Sequence, residues 1–305
     1  MTALHEAPAT VLRCRPRFEG ANIRTWIGFK HFLYLVEEGV LGWFRDRGLG
    51  PQELYHRHGL GVEIVDCSAQ LPAVLEVDDE VRAEVEHAGG RRFAVRLVAV
   101  RDGGETLVLK AKVTVALVSE RDGEAASDAI AGFVTGTVGA GSTVTAPADR
   151  ECPGDPVDLL SADGGFVWAW RARYFHCHYA DRVQHSGYVR ALEEVVDRFL
   201  ADRGISVGTL MRERAWIPVV SRARVRLVTS ALLEEVVYTT FEVGDVLRDT
   251  LFDGRMDCYV LRDGRLLHTA TASIVHGYAI GAGERAGELA HLDHEVVAAL
   301  TGASR

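Results

Sequence analysis

Three histidines and an aspartate lie close together in the stretch HCHYADRVQHSGYVRALEEV, residues 176–195, just ahead of a segment with helical periodicity. An imidazole whose pKa lies near its ordinary value of ~6.5 exchanges a proton readily at neutral pH. Asp181 and His185 are four positions apart, a spacing over which the carboxylate can orient the imidazole or act as a base itself. His178 precedes both. We therefore predict that His178, Asp181 and His185 form an acid/base site.

The start of the helix that follows offers a second kind of chemical group. The first turn of a helix leaves backbone N–H groups without intrahelical partners, and the helix dipole is positive there. The amides near Ser186 and Gly187 are therefore candidates for an oxyanion hole, and Gly187 would leave room for a substrate. Ser186 has a second interpretation, as the residue that caps the helix.

A metal site is the alternative interpretation of the histidines. His176 and His178 alternate as on a strand, however, and no carboxylate or cysteine completes a recognised zinc spacing. The five cysteines are scattered, odd in number and never in a CxxC pair, which favours reduced thiols over a disulfide framework. We expect no bound metal and no cofactor.

Composition narrows the class of protein. The chain has 305 residues and a formal net charge of −9, which argues against a nucleic-acid-binding protein because phosphate contacts need clustered Lys and Arg. No apolar run approaches the ~20 residues that span a bilayer, and the N-terminal segment lacks the apolar region of a signal peptide. We therefore predict a cytoplasmic protein with no membrane partner.

The chain contains an internal repeat, in which two helical segments align without gaps. GFKHFLYLVEEGVLGWFRDRGL begins at Gly28, and QHSGYVRALEEVVDRFLADRGI begins 156 residues later at Gln184. Each segment carries apolar residues at helical spacing: Phe32, Leu35, Val36, Val40 and Trp43 in the first, and Tyr188, Leu192, Val195, Val196 and Phe199 in the second. Runs of alternating apolar residues with Asp-Gly turns follow in both halves and predict antiparallel strands.

One long helix followed by an antiparallel sheet, twice over, is an α+β pattern. We assign residues 1–120 to a first unit and residues 121–163, rich in Gly, Ala, Ser and Pro, to a linker. Residues 164–305 then form a second unit with a short terminal helix.

With this order of elements the chain resembles the hotdog-fold thioesterases, of the 4-hydroxybenzoyl-CoA thioesterase-like and polyketide-associated kinds, as a tandem double hotdog. The family motif runs from an Asp or Asn, through Gly-His, into a helix with a Tyr near its start and a Glu further along. In the second half, these places hold His178, Gln184-His185, Tyr188 and Glu193. The chain thus departs from the family pattern where the acidic residue would stand.

The first half matches the motif less well than the second. Asn22 stands where the second half has His178, and Phe29 stands where it has His185. We therefore expect the first half to serve mainly as the partner wall of a site in the second half, with Asn22 and Tyr188 among the substrate contacts. Glu193 lies off the apolar stripe, which favours a solvated helix face over a catalytic role.

The resemblance implies two fused units whose sheets join into one, with the site between them. It also implies hydrolysis of an acyl-CoA or acyl-carrier-protein thioester, by water activation and a helix-terminal oxyanion hole, and it leaves a homodimer of such chains open. Arg222, Arg224 and Arg226 alternate on one predicted strand. They either contact the phosphates of coenzyme A or of a carrier protein's phosphopantetheine, or form an ordinary exposed strand face.

Two other functions stay open. Double-hotdog dehydratases use a His from one half and, from the other, an Asp followed four residues later by Gln or His, an element that Asp181 and His185 resemble. The motif of the other half, a His four residues before Gly, is not found at His31. The third interpretation is a non-catalytic protein that binds acyl thioesters in the same groove.

Overall fold

The computed structural model describes residues 9–22, 24–139 and 149–302. Residues 1–8 and 23 of the predicted first unit, 140–148 of the predicted linker and 303–305 of the predicted second unit lie outside the described residues. Within the described ranges, no helix has the length and apolar character needed to cross a bilayer.

The first unit consists of one long helix, one short helix and five strands. In chain order these are β1 (Thr10–Cys14), α1 (Phe29–Arg45), α2 (Pro51–His58), β2 (Leu60–Gln70), β3 (Glu80–His87), β4 (Arg92–Arg101) and β5 (Gly104–Ser119). The short helix α2 is absent from the sequence-based prediction. It begins at Pro51, whose fixed φ and missing N–H suit the first position of a helix, and it ends at Gly59 in the left-handed conformation.

The connection between the units contains four short elements: α3 (Asp128–Ala131), β6 (Val134–Thr135), β7 (Arg150–Glu151) and α4 (Pro156–Ser161). β6 pairs with β5 of the first unit. The side chain of Asp155 caps α4 by accepting the N–H of Val157. The connection is therefore bound to the sheet at its start and carries ordered structure at its end.

The second unit repeats the first and adds a terminal helix. Its elements are β8 (Phe166–Arg171), α5 (His185–Asp202), α6 (Val207–Arg214), β9 (Trp216–Leu227), β10 (Val236–Leu247), β11 (Leu251–Arg262), β12 (Arg265–Ile280) and α7 (His294–Thr301). The helices α1 and α5 begin 156 residues apart, and so do α2 and α6, β2 and β9, and β3 and β10. The 156-residue shift found in the helical segments therefore also relates the short helices and the strands as far as β3 and β10.

The strands form one sheet, in the order β1-β3-β4-β5-β2-β9-β12-β11-β10-β8, with β6 and β7 attached at its sides. The two units meet where residues 66–70 of β2 pair with residues 222–226 of β9 in antiparallel register. Ser68 lies opposite Arg224, the residue 156 positions further along the chain. A pseudo-two-fold axis therefore passes through this pair and relates the units.

Both long helices pack on the same face of the sheet and against each other. α1 lies on β1, β3 and β4, and α5 lies on β9 and β10. Val195, Val196 and Phe199 are at most 2% exposed, whereas the Arg198 side chain is half exposed, as the helical periodicity predicts. The predicted α+β double-hotdog fold is confirmed: each unit wraps an antiparallel sheet around its own long helix.

Candidate active site

The pseudo-two-fold axis creates two equivalent places, each combining the N-terminus of one long helix with the middle of the other. We name them by the helix that begins there. The α5 site joins the start of α5 to Glu37 of α1, and the α1 site joins the start of α1 to Glu193 of α5. Glu37 and Glu193 are equivalent under the 156-residue shift, so differences between the sites come from the residues around them.

The loop that precedes α5 is held in place by backbone hydrogen bonds. The Val183 N–H donates to the carbonyl of Ala231, and the Gln184 N–H donates to the carbonyl of His176. Tyr179, at the tip of the loop, has φ of 59°, a left-handed conformation that is costly for a residue with a large side chain. Its ring stacks on Tyr55 of α2, with ring centroids 5.6 Å apart. The loop is therefore fixed by both units.

A buried group of charges lies beneath this loop and connects the two units. Arg182 pairs with Glu120, and its Nε lies 3.5 Å from Oε2 of Glu63 on β2. All three side chains are less than a tenth exposed. The other oxygen of Glu63 accepts the backbone N–H of His185 at 3.1 Å, the first residue of α5. The carboxylate of one unit thus fixes the start of the helix of the other.

Burial controls the proton affinity of Glu63. Removal from water raises the pKa of this carboxyl well above its usual range, and the neighbouring Arg182 and the His185 N–H oppose that rise. One guanidinium thus faces two carboxyl groups, and the raised pKa of Glu63 favours the neutral form of that carboxyl.

His185 and His178 are both held neutral. His185 is buried, its Nε2 lies 3.3 Å from the Val225 carbonyl, and burial lowers its pKa to about 4. His178 is half-buried in the loop, and burial together with Arg182 lowers its pKa to about 4. The Nδ1 of His178 is buried with no hydrogen-bond partner among the described residues.

His176 has a packing role that the sequence did not indicate. In the first unit, His31 packs so closely on Gly20 that a Cβ there would lie 2.6 Å from the ring. In the second unit the equivalent pair is exchanged, with His176 in place of Gly20 and Gly187 in place of His31. A Cβ on Gly187 would lie 3.0 Å from Val183 and 3.4 Å from the His176 carbonyl. The small size of Gly187 therefore serves packing, and the predicted space for a substrate is not where Gly187 points.

The predicted oxyanion hole is partly wrong, because two of the three amides at the start of α5 already donate hydrogen bonds within the protein. The His185 N–H is taken by Glu63, and the Gly187 N–H donates to the Gln184 carbonyl at 2.9 Å. Among the described residues, the Ser186 N–H has no such partner. Gln184, not Ser186, occupies the N-cap position, so the alternative interpretation of Ser186 as the cap is wrong.

Asp181 and Tyr188 also lie elsewhere than predicted. Asp181 is exposed, and its carbonyl accepts the N–H of Leu233, whereas His185 is buried. The carboxylate is thus poorly placed to orient that imidazole. Tyr188 is 1% exposed and belongs to the core, where its hydroxyl faces Thr269 and Ala231 and burial raises its pKa. Tyr188 packs the helix onto the sheet and has no surface for a substrate.

Glu37 is the residue of the α5 site that the sequence-based prediction missed. It is half-buried on α1, and burial followed by the neighbouring Glu38 raises its pKa to about 7, with Arg190 acting in the opposite direction. Burial raises the pKa of the Tyr179 hydroxyl to about 12, and the charges of Glu63 and Glu37 act in the same direction. In the described part of the chain, Glu37 takes part in no ion pair.

The α1 site is arranged differently although it is equivalent by symmetry. Lys30, in the first turn of α1, forms an ion pair with Glu193 at 2.6 Å. Glu193 is therefore a partner of the other helix and not the freely solvated face that the sequence predicted. Asn22 is exposed, and its side chain packs on Gly28, where a Cβ would lie 2.9 Å from the amide nitrogen.

Arg222 and Arg224 lie on the outer face of the sheet, away from both helices. Their strand neighbours Ala223 and Val225 point into the core, so the arginines point to solvent. Arg224 forms a bidentate pair with Asp66 of β2, at 2.9 and 2.5 Å. Neither arginine reaches the space around Glu37.

No group of three or more His, Cys, Asp and Glu side chains arranged to hold a metal ion is found in the described ranges. His176 accepts the N–H of Arg173 at 2.9 Å, while His185 turns toward β9. The three histidines of the opening motif therefore point in different directions.

Comparisons with known proteins show similarity in fold alone. No family model and no curated protein sequence matches the chain. The 12:0-ACP thioesterase from Umbellularia californica superimposes with a TM-score of 0.60 and 10% identity, covering 88% of this chain and 94% of that one. A protein described as an oleoyl thioesterase from Lactobacillus plantarum gives a TM-score of 0.58 with 11% identity, covering 90% and 98%. An acyl-ACP thioesterase from Bacteroides thetaiotaomicron gives 0.54 with 9% identity, covering 88% and 97%.

Proposed function

We propose that the protein hydrolyses acyl thioesters at the α5 site, with Glu37 as the general base. One observation carries this proposal: Glu37 is a half-buried carboxyl group that forms no ion pair among the described residues and interacts with Arg190 of α5, whereas its symmetry equivalent Glu193 is paired with Lys30. A charged group kept unpaired in a protein interior is costly, so its retention favours a functional role.

The pKa of Glu37 suits this role. A general base works best when its pKa lies near the working pH, because it is then both largely ionised and a good proton acceptor. Burial raises the pKa of Glu37 to about 7. His178 and His185, with pKa values of about 4, are much weaker bases. We therefore assign the base to Glu37 and give His178 a different role.

The reaction follows from the positions of these groups. Glu37 takes a proton from a water molecule, and the resulting hydroxide attacks the carbonyl carbon of the thioester. The negative charge that develops on the carbonyl oxygen is stabilised by the Ser186 N–H and the positive end of the α5 dipole. The tetrahedral intermediate then collapses, the carbon–sulfur bond breaks, and the thiolate receives the proton held by Glu37. The products are a carboxylic acid and a free thiol.

His178 is proposed as a neutral partner of the substrate or the water. Its Nδ1 is buried without a hydrogen-bond partner among the described residues, so it can form a hydrogen bond with a molecule bound in the site. His185 would act through its backbone, since its N–H is fixed by Glu63 and its ring faces β9. Asp181, being exposed, has the weakest case among the three predicted catalytic residues.

The substrate class is inferred from the solved structures that superimpose on this chain and from the residues of the α5 site. The solved structures that superimpose on this chain are described as thioesterases of acyl-ACP or of an oleoyl group, which supports an acyl thioester as substrate here. A dehydratase would need Asp181 next to the reacting carbon, and the exposure of Asp181 disfavours that role. A protein that only binds acyl thioesters gains nothing from a buried carboxyl group whose pKa is raised to about 7.

Hydrolysis of a panel of acyl-pantetheine and acyl-CoA thioesters in the presence of a thiol reagent tests the proposal directly. Free thiol appears under hydrolysis and not under dehydration or binding. We expect thiol release by the wild type and its loss in Glu37→Gln, with Glu38→Gln as the matched control on the neighbouring exposed position. Release at wild-type rates by Glu37→Gln would exclude Glu37 as the base, and no release by any substrate would contradict hydrolysis.

A further inference from the structure

The α5 site has a cation beside it that takes no part in the proposed hydrolysis, Arg190 of α5. This residue is partly exposed and forms no ion pair in the described part of the chain. Its equivalent in the first unit is Tyr34, whose ring packs edge-on against His31 with ring centroids 5.1 Å apart. The two units therefore differ in charge at this position.

Helical spacing places Arg190 on the face of α5 that is turned toward α1. Arg190 follows Ser186 by four residues and precedes Glu193 by three, so the three side chains share one face of the helix. Glu193 contacts Lys30 of α1 at 2.6 Å, which identifies this face. Ser186 is the equivalent of Lys30 and by the same symmetry faces Glu37. Arg190 thus lies beside the space between Ser186 and Glu37.

Contacts with the loop before α5 show in which direction the guanidinium turns. The Nη2 of Arg190 donates to the carbonyl of Phe175 at 3.2 Å, and its Cζ lies 6.0 Å from the centre of the Phe175 ring. The next residue, His176, accepts the N–H of Gln184, the N-cap of α5, with its carbonyl. Long side chains in helices tend to point toward the N-terminus, as this one does. The guanidinium therefore lies level with the start of α5.

The hydrogen bonding of the guanidinium is incomplete. A guanidinium carries five N–H donors, but the described residues give Arg190 one hydrogen bond, to a neutral carbonyl at 3.2 Å. Its Nε is buried and has no hydrogen-bond partner among those residues. A donor that is buried without a partner costs free energy. An anion would offer better acceptors, because hydrogen bonds between charged groups are roughly twice as strong as neutral ones.

The protein does not supply that anion from Glu37. The charge of Arg190 acts on Glu37 and opposes the rise in the pKa of that carboxyl, yet the two groups form no ion pair among the described residues. A cation and an acid thus face the same space without direct contact. The anion that Arg190 lacks can therefore come from a molecule bound between them.

The proposed reaction moves a negative charge within this space. Before the attack, the charge is on Glu37. Once Glu37 has taken a proton from water and the hydroxide has added to the carbonyl carbon, Glu37 is neutral and the charge lies on the carbonyl oxygen. A cation fixed beside both positions stabilises the second state without reorganisation of solvent. The Ser186 N–H alone would give that oxygen one neutral donor.

We propose that Arg190 is a catalytic residue, which turns from the Phe175 carbonyl and donates to the oxyanion beside the Ser186 N–H. This inference rests on the proposed hydrolysis and adds a charged donor to the oxyanion hole. Arginine stays protonated throughout, so it donates a hydrogen bond and transfers no proton. The role also explains why Arg190 and Glu37 lie near each other unpaired.

Two variants of Arg190 and one control test the proposal. Arg190→Gln removes the charge, and Arg190→Lys keeps the charge but loses the planar fork. Arg198→Gln is the matched control, because Arg198 lies two turns further along α5, is exposed and pairs with Glu194. Dodecanoyl-pantetheine is the substrate for kcat/KM. A long-chain alkyl trifluoromethyl ketone, whose hydrate ionises to an oxyanion on a tetrahedral carbon, and the matching methyl ketone are the probes for the Kd by calorimetry.

We expect Arg190→Gln to lower kcat/KM by about 10²-fold and to weaken binding of the trifluoromethyl ketone by a similar factor. Binding of the methyl ketone, which forms no oxyanion, should change little. The rising limb of the pH profile should move to higher pH, since removal of the cation lets the pKa of Glu37 rise further. The loss in kcat/KM should persist on the plateau above that limb. Arg190→Lys should recover part of both losses, and Arg198→Gln should resemble the wild type.

Three results would overturn the role of Arg190. A loss that disappears on the plateau at high pH would mean that Arg190 acts only through Glu37. Equal weakening of both ketones would mean that it serves binding in general, and failure of the wild type to bind the trifluoromethyl ketone would exclude an oxyanion site. Tight binding of that ketone that depends on Arg190, without thiol release from any thioester, would instead contradict the proposed hydrolysis and leave the anion site intact.

Discussion

Lys30 and Glu193 form an ion pair at 2.6 Å between the first turn of α1 and the middle of α5. The residue equivalent to Lys30 in the second unit is Ser186, which is too short and uncharged to do the same for Glu37. This difference between the two repeats leaves Glu193 with a lysine partner and Glu37 without an ion pair among the described residues. The two sites are unequal in charge although the backbone around them is nearly symmetric.

Replacement of the two equivalent glutamates should therefore have unequal effects. Glu37→Gln should lower kcat for a good acyl thioester by about 10²–10⁴-fold, because it removes the base while keeping the shape of the side chain. Glu193→Gln should lower kcat far less, since that carboxylate is already bound by Lys30. Steady-state thiol release measures both. Equal losses would mean that the site is not confined to the start of α5.

A lysine at position 186 should reproduce, in the α5 site, the ion pair that Lys30 forms with Glu193 in the α1 site. In Ser186→Lys the new ammonium group can reach Glu37 as Lys30 reaches Glu193, and an opposite charge at that distance lowers the pKa of a carboxyl. We expect loss of most activity with an unchanged circular dichroism spectrum. Ser186→Ala, which keeps the backbone amide, should lose much less. Full activity in Ser186→Lys would show that Glu37 and position 186 do not face each other.

The pH dependence of kcat/KM should show a single rising limb near pH 7. Glu37 must be ionised to accept a proton, and burial raises its pKa to about 7, so activity should increase as the pH rises through that value. His178 and His185, with pKa values of about 4, are already neutral over this range and should add no further step. A profile from about pH 5 to about pH 9 on an acyl-pantetheine tests this. A rate that falls through pH 7 would indicate a protonated group in the reaction.

The fold could be predicted well from the sequence because the same order of elements occurs twice in the chain. The gapless shift of 156 residues that aligns Gly28 with Gln184 also relates the starts of α2 and α6 and of β2 and β9. Any single segment gives an ambiguous pattern, but agreement between two copies removes most alternatives. The helix α2 escaped prediction because eight residues are too few for a clear apolar stripe.

The site was harder to predict because its main groups belong to different units. Glu37 and Glu193 both look like a solvated helix face when each helix is considered alone, and their partners become visible once the helices are packed together. Arg182 and Glu63 are also far apart in the chain and meet at the joint. The histidines drew attention by their spacing, yet His176 is explained by its packing on Gly187.

Glu37 should also affect the free energy of unfolding, in a way that depends on pH. The folded protein raises the pKa of Glu37 from 4.5 to about 7, so the free energy of unfolding that this group contributes is fully present below pH 4.5 and is lost as the pH rises through 7. Glu37→Gln should therefore be more stable relative to wild type at about pH 8 than at about pH 5. Thermal unfolding at both pH values measures the difference. A similar change in the control Glu38→Gln would point to a general charge effect.

His178, in the loop that precedes α5, should matter more for activity than its equivalent in the first unit, Asn22. The Nδ1 of the neutral His178 ring has no hydrogen-bond partner in the part of the chain that the structure describes, whereas Asn22 is exposed and packs on Gly28. His178→Ala should reduce kcat/KM by about tenfold or more, and Asn22→Ala should leave it close to wild type. His178→Gln should restore part of the loss if hydrogen bonding is its role. Equal effects at both positions would mean that the two loops contribute alike.

Arg182 should be a sensitive position for stability, because its removal leaves two buried carboxyl groups without their common partner. Glu63 and Glu120 are at most 5% exposed in their side chains, and Arg182 is their common partner. Breaking a buried ion pair by removing one partner typically costs about 3–5 kcal/mol. Arg182→Ala should therefore lower the free energy of unfolding by about that amount, and Arg182→Lys by less. The triple variant Arg182→Met, Glu63→Gln, Glu120→Gln removes all three charges and should recover much of the loss in denaturant unfolding. If it proves as unstable as Arg182→Ala, the arginine acts through packing and not by neutralising the carboxylates.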